Sequence, residues 1–339
     1  MNEKIFISIA SYLDPMLFFT VSDAIAKAQH PELLAFGIVN QDFEDQRKLL
    51  CAAAACTGAG MRYLHAHPHD TLGVSWARHL AYSLYDEETF FLQIDSHTLF
   101  ESAWDETLRK QLRQLQELSA KPICTTYPEG FTLIDGLPQW TPNPPDIALI
   151  IRPLPQTTLS HDYVLIQFRA LRVGTNQPVP GCHIAGGFLF CSGKFIEEVP
   201  YDPYLYFWGE EQSLSIRAFT HGWDIYHPTA VPLYHLYRDT GSNHAQLHWT
   251  SEVDQQRQLD SAYLTKRSNV RLMRLLCGDG LPGVYGLGKI RTIDEFSLYS
   301  GIDYKHKSIH DPYGGKFPGL PLADEHLSTD AVVLLDEAA

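Results

Sequence analysis

The chain has 339 residues, of which 45% are hydrophobic, and a formal net charge of −14. This size allows one large α/β domain with an elaborated C-terminal part, or two domains. The acidic balance, without an offsetting cluster of Lys and Arg, argues against nucleic acid or an anionic membrane surface as the main partner. No apolar run approaches the length of a membrane-spanning helix.

The N-terminus and the cysteines predict a cytoplasmic protein. Residues 1–4 lead directly into the strand-like run Ile5–Ile9, which is too short and too quickly interrupted for the apolar part of a secretory signal. The six cysteines form no C-x-x-C pair, and their neighbours are mostly small or apolar. We therefore expect buried free thiols in a reducing compartment.

Strand-like and helical stretches alternate through the first 127 residues. Apolar runs predict strands at residues 5–9, 33–39, 61–65 and 90–94. Helical patterns begin at Asp14-Pro15, as N-cap and first helical residue, and then cover about 47–56, the stretch from Leu72, and 104–118 as a surface helix. This alternation at βαβ spacing favours an α/β fold with a mainly parallel sheet.

The remainder of the chain is less regular. Strand character returns at residues 123–127, 163–168, 185–191 and 231–234, and an acidic helix begins near Glu210. Residues 128–155 are rich in proline and predict a domain boundary, or a long loop over an active site.

The stretch from Phe90 to His97 carries the clearest chemistry. Its buried-strand pattern ends at Asp95, and His97 follows two residues later. In extended backbone these two side chains face the same side, at the strand end where open α/β sheets bind ligands. Oxygen and nitrogen ligands of this kind suit Mn²⁺ or Mg²⁺ on a nucleotide. Alternatively, Asp95 caps the next helix and His97 is an ordinary loop residue.

Further motifs follow in a fixed order along the chain. They are Arg78, Asp95-Ser96-His97, Gly186-Gly187-Phe188, Trp208-Gly209-Glu210-Glu211 and His235-Leu236-Tyr237-Arg238. In this combination and order, roughly residues 4–240 resemble the GT-A glycosyltransferases. The chain is most similar to the cytoplasmic N-acetylglucosaminyltransferases of glycosyltransferase family 60, which modify a hydroxyproline on a ubiquitin-ligase adaptor. It is more distantly similar to the polypeptide N-acetylgalactosaminyltransferases.

The resemblance implies a GT-A fold with a Rossmann-like, mostly parallel sheet flanked by helices. Residues 1–127 would form the nucleotide-sugar-binding half, 128–240 the acceptor and catalytic half, and 241–339 a C-terminal extension packed on both. The implied reaction moves N-acetylglucosamine from a UDP-sugar to a hydroxyl with retention, which gives an α-linked product. The acceptor stays open among a protein, a glycan and a lipid-linked glycan.

The resemblance also implies the ligands of a Mn²⁺ or Mg²⁺ ion. Asp95 and His97 match the D-x-H pair, and His235 matches the later histidine by its position, with His227 and His221 as alternatives. A cation at this site would neutralise charge that grows on the departing diphosphate.

The catalytic and donor-binding residues are assigned from the same motifs. Glu211 falls where W-G-x-E places its acid and is expected in the sugar pocket with Glu210. The motif here lacks the second glycine of the mucin-type relatives. Alternatively, either acid only stabilises the start of the helix through its negative charge. Gly186 and Gly187 would let the backbone approach the sugar, or form a β-bulge. The other expected donor contacts are Ser8, Ala10, Ser11, Arg78, Asp95, Ser96, Trp208 and Arg238.

Two other classes of function compete with the transferase. In a metal-dependent hydrolase, Asp95, His97 and His235 would activate water, but such a centre usually has more His and Asp ligands than these motifs supply. In a non-catalytic sugar-binding module, the retained Asp95, His97 and Glu211 would have no purpose. For Arg78, the competing interpretation is an ordinary solvated helix residue.

Overall fold

The computed structural model describes residues 3–144, 146–238, 246–278 and 280–310. In chain order its helices α1 to α9 span Leu17–Lys27, Arg47–Ala55, Val74–Tyr82, Trp104–Gln116, Lys194–Glu198, Glu210–Thr220, Ser251–Asp254, Ser261–Cys277 and Ile293–Ser300. The strands β1 to β16 span Ile5–Tyr12, Leu34–Gln41, Gly60–Ala66, Phe90–Asp95, Thr98–Phe100, Pro122–Thr125, Phe131–Ile134, Leu137–Trp140, Ile147–Pro153, Phe168–Gly174, Val179–Gly181, Phe188–Ser192, Asp224–His227, Leu233–His235, Ile302–Asp303 and Ser308–Ile309.

A central sheet organises the described part of the chain. Its eight strands lie in the order β11, β13, β6, β12, β4, β1, β2, β3. The strands β3, β2, β1 and β4 are parallel neighbours, and β13 is parallel to β6. Strand β12 runs antiparallel between β4 and β6, and β11 runs antiparallel at the edge. The mainly parallel α/β sheet that the sequence predicts is therefore confirmed.

Helices cover both faces of this sheet because its inner strands are apolar on both sides. In β1, Ile5, Ile7 and Ile9 join a cluster with α1, α2 and α4, whereas the intervening Phe6 joins a second cluster with α5 and α6. Each such buried side chain stabilises the fold by about 1.5–3 kcal/mol. The sheet therefore holds its strand ends rigidly, and those ends carry the site.

The N-cap prediction for Asp14 is wrong. Helix α1 begins at Leu17 with Met16 as its cap residue. The Asp14 carboxylate is otherwise engaged, since its Oδ1 accepts a hydrogen bond from the Met16 backbone and its Oδ2 contacts Ser96 and His97. Asp14 therefore contacts Ser96 and His97, which are distant in sequence, instead of capping the helix that follows it.

Two other predicted elements need correction, and a third is confirmed. Residues 128–155 are not one irregular loop, because they hold the β7–β8 hairpin and all of β9. The predicted strand at 163–168 is absent from the described structure until Phe168, where β10 starts. Helix α4 is the predicted surface helix, since its apolar stripe of Trp104, Leu108, Leu112 and Leu115 is buried and Lys110 and Arg113 are exposed.

The C-terminal region packs on the sheet through α6. Leu272 of α8 and Phe296 of α9 share an apolar cluster with Ile216 of α6. Of the expected extension, residues 241–245, 279 and 311–339 lie outside the described residues. None of the described helices is both long and apolar enough to cross a bilayer.

All six cysteines are free thiols, as predicted. Burial is confirmed for Cys124, Cys182 and Cys191, whereas Cys56 is exposed. Cys51 and Cys277 are half-buried.

Candidate active site

A cavity of about 320 Å³ lies at the carboxyl ends of β1 and β4. This is the edge of a parallel sheet where ligands bind. Nearly all of the predicted site residues line it, namely Ala10, Arg78, Asp95, Ser96, His97, Gly186, Gly187, Trp208, Glu210, Glu211, His235 and Arg238. The fold thus brings residues as distant in sequence as Ala10 and Arg238 to the lining of one cavity.

Ser8 and Ser11 are the predicted site residues that do not line the cavity. Strand β1 continues to Tyr12 instead of ending at Ile9, so both serines lie inside the strand and are fully buried. Ser8 is one step deeper than Ala10 on the same side, and Ser11 points to the opposite side. Ala10 and Tyr12 are the β1 residues that reach the cavity.

Asp95, His97 and His235 converge at the centre of the site. Asp95 Oδ2 lies 3.1 Å from His235 Nε2, and His97 Nε2 lies 3.0 Å from the same nitrogen. The antiparallel pairing of β14 with β5 sets His235 opposite Thr98, next to the D-x-H turn. The potential ligand atoms of Asp95, His97 and His235 all lie within 4.8 Å of one another, so one divalent ion can contact all three side chains.

The two alternative histidines lie elsewhere. His227 is fully buried in β13, where its Nδ1 bonds to the Thr125 carbonyl. His221 follows α6 and bonds to the Arg217 carbonyl. Neither side chain lines the cavity.

Asp14 supports His97 from behind. Its Oδ2 accepts a hydrogen bond from His97 Nδ1 at 2.6 Å and another from the Ser96 hydroxyl. Burial opposes ionisation of Asp14, but the charge and hydrogen bond of His97 hold the pKa of this carboxyl below its usual value. A carboxylate on Nδ1 fixes the tautomer and orientation of a histidine, so Nε2 is presented to the cavity.

Arg78 supports Asp95 in a similar way. It is 1% exposed, and its guanidinium contacts Asp95 Oδ1 at 2.5 Å and the Ile94 carbonyl at 2.7 Å. The interpretation of Arg78 as a solvated helix residue is therefore wrong. Burial opposes ionisation of Asp95, but the His235 hydrogen bond and the Arg78 charge hold its pKa well below the usual range. Asp95 is consequently a carboxylate at neutral pH.

Gly186 and Gly187 form a tight turn instead of a β-bulge, since the flanking Ala185 and Phe188 pair with each other. A Cβ on Gly187 would lie 2.8 Å from Asp95 Oδ2, and one on Gly186 would lie 3.2 Å from Glu211 Oε1. Glycine is needed here because the backbone closely approaches both carboxylates.

Glu211 is held in place through both of its carboxylate oxygens. Oε1 accepts a hydrogen bond from the Gly186 amide, and Oε2 accepts one from the Tyr127 hydroxyl, each at 2.6 Å. Glu210 differs, since its Oε2 is buried and has no hydrogen-bond partner among the described residues. Burial raises the pKa of both acids, and the neighbouring Glu211 charge raises that of Glu210 further. The N-cap of α6 is Gly209, so neither acid occupies the cap position.

The Glu210–Glu211 pair predicts a pH dependence of stability. The unfolded chain ionises these carboxyls near the ordinary value of 4.5, whereas the folded protein holds the protons to higher pH. The folded state then binds more protons than the unfolded state, so its stability falls as pH rises above 4.5. The Glu210→Gln/Glu211→Gln double variant lacks this loss. We expect the free energy of unfolding of the double variant, minus that of wild type, to increase by about 1–3 kcal/mol between pH 4 and pH 8.

Urea titration of both proteins at the two pH values measures this difference. The single variant Asp45→Asn, on an exposed carboxylate that does not line the cavity, is the control for removal of a surface carboxylate. A double variant whose difference from wild type does not change with pH would contradict the raised pKa values.

Sequence reasoning missed three contributors to the site. Asp14 and Tyr127 follow the carboxyl ends of β1 and β6, and their place at the same sheet edge as Asp95 is a signal that could have found them. His248 gives no such signal, although its ring lies 3.8 Å from that of Tyr12. Arg257 anchors this segment, since it donates to the backbone carbonyls of His248 and Thr71.

Comparisons with known proteins bear on the fold and the family. No curated protein matches the sequence. Among solved structures, GalNAc-T7 with UDP, GalNAc and Mn²⁺ is 14% identical with a TM-score of 0.53, and the match covers 80% of this chain and 48% of that one. The chain therefore spans about half of the GalNAc-T7 chain. This likeness confirms the GT-A fold.

Two further structures are similar at lower scores. S. aureus TarS 1-349 in complex with UDP-GlcNAc is 14% identical, with 80% of this chain and 72% of that one covered and a TM-score of 0.41. The mannosyltransferase PcManGT from Pyrobaculum calidifontis, in complex with GDP-Man and Mn²⁺, is 10% identical, with 70% and 58% covered and a TM-score of 0.44.

The family to which the chain belongs is shown by a match to a family model. The model described as Glycosyltransferase (GlcNAc) matches residues 44–306. The matched range holds Asp95, His97, His235 and Glu211, and it covers well over half of the chain. The chain belongs to the Glycosyltransferase (GlcNAc) family.

Proposed function

We propose that the protein transfers N-acetylglucosamine from UDP-N-acetylglucosamine to an acceptor hydroxyl, with retention and with the help of Mn²⁺ or Mg²⁺. The observation that carries this proposal is the convergence of Asp95, His97 and His235 beside Glu211 in one cavity of a GT-A fold. GalNAc-T7 was solved with UDP, GalNAc and Mn²⁺, which supports the same donor chemistry. The order of motifs further supports a place near glycosyltransferase family 60.

The three clustered side chains fit a divalent cation. One carboxylate oxygen and two imidazole nitrogens form a donor set suited to Mn²⁺. Asp14 behind His97 and Arg78 behind Asp95 provide the supporting contacts that metal-binding side chains usually have. When bound, the cation would neutralise charge on the diphosphate leaving group.

The two proposed halves of the GT-A domain contribute different parts of the site. In our proposal residues 1–127 hold the nucleotide, through Ala10, Ser96 and the supported Asp95, and residues 128–240 hold the sugar. Glu211 and the Gly186–Gly187 turn would contact the donor sugar. Trp208 and Arg238 would close the cavity, where an arginine suits phosphate oxygens.

The arrangement of Glu211 supports retention without a dedicated base. Its oxygens accept hydrogen bonds from Gly186 and Tyr127, which fix the carboxylate while its remaining lone pairs can accept from the sugar hydroxyls, so in the proposed mechanism Glu211 positions the sugar and the leaving phosphate takes the proton. As the bond between the anomeric carbon and the β-phosphate oxygen breaks, the acceptor oxygen bonds to the same face of that carbon. The acceptor proton passes to the departing phosphate oxygen, and the product is α-linked.

The hydrolase alternative is less well supported. Among the described residues, Asp95, His97 and His235 form the one group that could hold a metal ion. A hydrolytic centre with two metals would need a second group nearby. A binding module without catalysis would not need the buried support that Asp14 and Arg78 give to this group.

Thermal unfolding with UDP, with and without Mn²⁺, tests the proposal. We expect UDP and Mn²⁺ together to raise Tm by several degrees more than the sum of either alone, because each completes the site of the other. Stabilisation by Mn²⁺ alone would favour the hydrolase. Absence of stabilisation by UDP, by Mn²⁺ and by the two together would contradict both the transferase and the hydrolase. Release of UDP from UDP-GlcNAc, compared with UDP-GalNAc and GDP-mannose, and NMR of the product then define donor and anomer.

Asp14→Asn should weaken metal binding although Asp14 does not reach the ion. The amide keeps the size of the carboxylate but loses the charge that orients His97, so we expect Mn²⁺ affinity in the presence of UDP to fall about 10–100-fold. Isothermal titration calorimetry measures this affinity. Asp45→Asn again serves as the surface control, and an Asp14→Asn affinity equal to that of the control would show that Asp14 has no supporting role.

A further inference from the structure

A second cavity of about 730 Å³ adjoins the candidate active site. Phe207, Trp208 and Trp249 line both cavities, so the two cavities meet at these aromatic side chains. Trp208 also precedes Glu210 and Glu211 in sequence by two and three residues. A molecule in the second cavity would therefore lie directly beside the proposed sugar pocket.

The aromatic wall is fixed in position. Phe207 packs its ring against those of Trp208 and Trp249, with centroids 4.9 Å and 4.7 Å apart. Trp208 and Gly209 have φ values of 21° and 89°, a backbone conformation that ordinary side chains rarely adopt. A Cβ on Gly209 would lie 2.6 Å from Leu272 of α8, so glycine allows this close approach. Such backbone conformations cluster at functional sites, and this one lies where the two cavities meet.

The opposite wall is one face of α8. Its Thr265, Lys266 and Asn269 line the cavity together with the apolar Val270 and Met273. The backbone amide of Tyr206 bonds to Ser268 Oγ at 3.1 Å, which ties the aromatic wall to this helix. The cavity is thus formed in advance and does not depend on a ligand.

The chemistry of the two walls suits a carbohydrate. Aromatic faces pack against the C–H face of a pyranose ring, while hydroxyl, amide and amine groups bond to its hydroxyls. Of charged residues, Lys266 and the exposed Asp162 line the cavity, so the lining has little net charge in a chain of net charge −14. A nearly neutral lining does not favour a charged peptide or a phosphate group.

We propose that this second cavity binds the acceptor and that the acceptor is an oligosaccharide. The inference rests on the proposed transferase, because it assigns the partner of the same donor pocket. A free oligosaccharide and a glycan attached to a peptide share the pyranose chemistry that the walls recognise. An unmodified polypeptide is the competing class of acceptor.

Saturation-transfer NMR on the full chain with UDP and Mn²⁺ tests the assignment. The probes are diacetylchitobiose, lactose and maltotriose, a glycopeptide with a terminal disaccharide, and a serine- and threonine-containing peptide without sugar. We expect saturation of pyranose protons for at least one sugar, and in the glycopeptide on its glycan only. Signals from both a free oligosaccharide and the glycopeptide show that the glycan alone is recognised. A signal from the glycopeptide only shows that the acceptor is a glycan attached to a peptide.

Thr265→Val/Asn269→Ala should weaken this sugar binding at least about tenfold, because it removes two hydrogen-bonding groups from the α8 face. Tyr263→Ala is the matched control, since Tyr263 is exposed on the same helix and does not line the cavity. No pyranose signal, signals unaffected by the double substitution, or saturation of the unmodified peptide would overturn the assignment.

The thermal shift with UDP and Mn²⁺, measured on the same samples, separates the two proposals. Retained stabilisation without sugar binding means that the acceptor assignment fails alone. Loss of stabilisation in the wild-type protein means that the proposed transferase itself fails.

Discussion

Asp95→Asn should lower the rate of UDP release from UDP-GlcNAc by about 10³-fold or more. The amide removes the negative charge from the donor set with His97 and His235, and it leaves the buried Arg78 guanidinium without its ionic partner. The site thereby becomes one charge unit more positive, and the Arg78 charge is no longer neutralised, where a cation has to bind. We therefore expect Mn²⁺-dependent stabilisation by UDP to disappear as well.

The control for this variant is a buried ion pair far from the cavity. Asp105 and Arg109 of α4 are both fully buried and lie 3.0 Å apart, so Asp105→Asn also removes the closer carboxylate from a buried arginine, which keeps Glu106 at 3.6 Å. Each variant should lose stability, by about 3–5 kcal/mol for a fully buried pair and less for Asp95, which is partly exposed. Only Asp95→Asn should lose UDP and Mn²⁺ binding. Equal UDP release per folded molecule in the two variants would contradict the role of Asp95.

Glu211→Gln should lower kcat by about 10²-fold with little change in UDP affinity. The amide can still contact Gly186 and Tyr127, so the pocket keeps its shape. What it loses is a charged acceptor for the sugar hydroxyls, and such bonds are roughly twice as strong as neutral ones. Steady-state UDP release and UDP titration together give kcat and affinity.

Glu210→Gln is the matched variant for this comparison. Glu210 lines the same cavity one residue earlier, but its Oε2 has no hydrogen-bond partner among the described residues. We expect its kcat to fall less than about tenfold. A larger loss for Glu210→Gln than for Glu211→Gln would exchange the proposed roles of the two acids.

The N-terminal half of the sheet could be predicted closely from the sequence. Strands such as Phe90–Asp95 are apolar on both faces, so their pattern is nearly continuous, and it stops where the backbone reaches the cavity. The end of β1 was harder to predict. Small residues from Ala10 to Ser11 resemble a turn, yet parallel pairing with β2 extends the strand to Tyr12 and buries both Ser8 and Ser11.

The supporting residues could not be predicted because their partners are distant in sequence. Asp14 before a proline and a helix has the pattern of an N-cap, but its main partner, His97, lies 83 residues later. Arg78 has the spacing of a surface helix position, although it is buried against Asp95. The hairpin at 131–140 was missed for another reason: its two strands have four residues each and lie in a proline-rich stretch, so the apolar residues of β7 form too short a run to mark a strand.

Anomalous diffraction from crystals grown with Mn²⁺ and UDP is the most direct test of the proposed metal site. We expect one manganese peak within bonding distance of Asp95 Oδ2, His97 Nε2 and His235 Nε2, with the UDP phosphates on its open side. A peak elsewhere, or ordered UDP with these three side chains turned away from any ion, would contradict the proposed site.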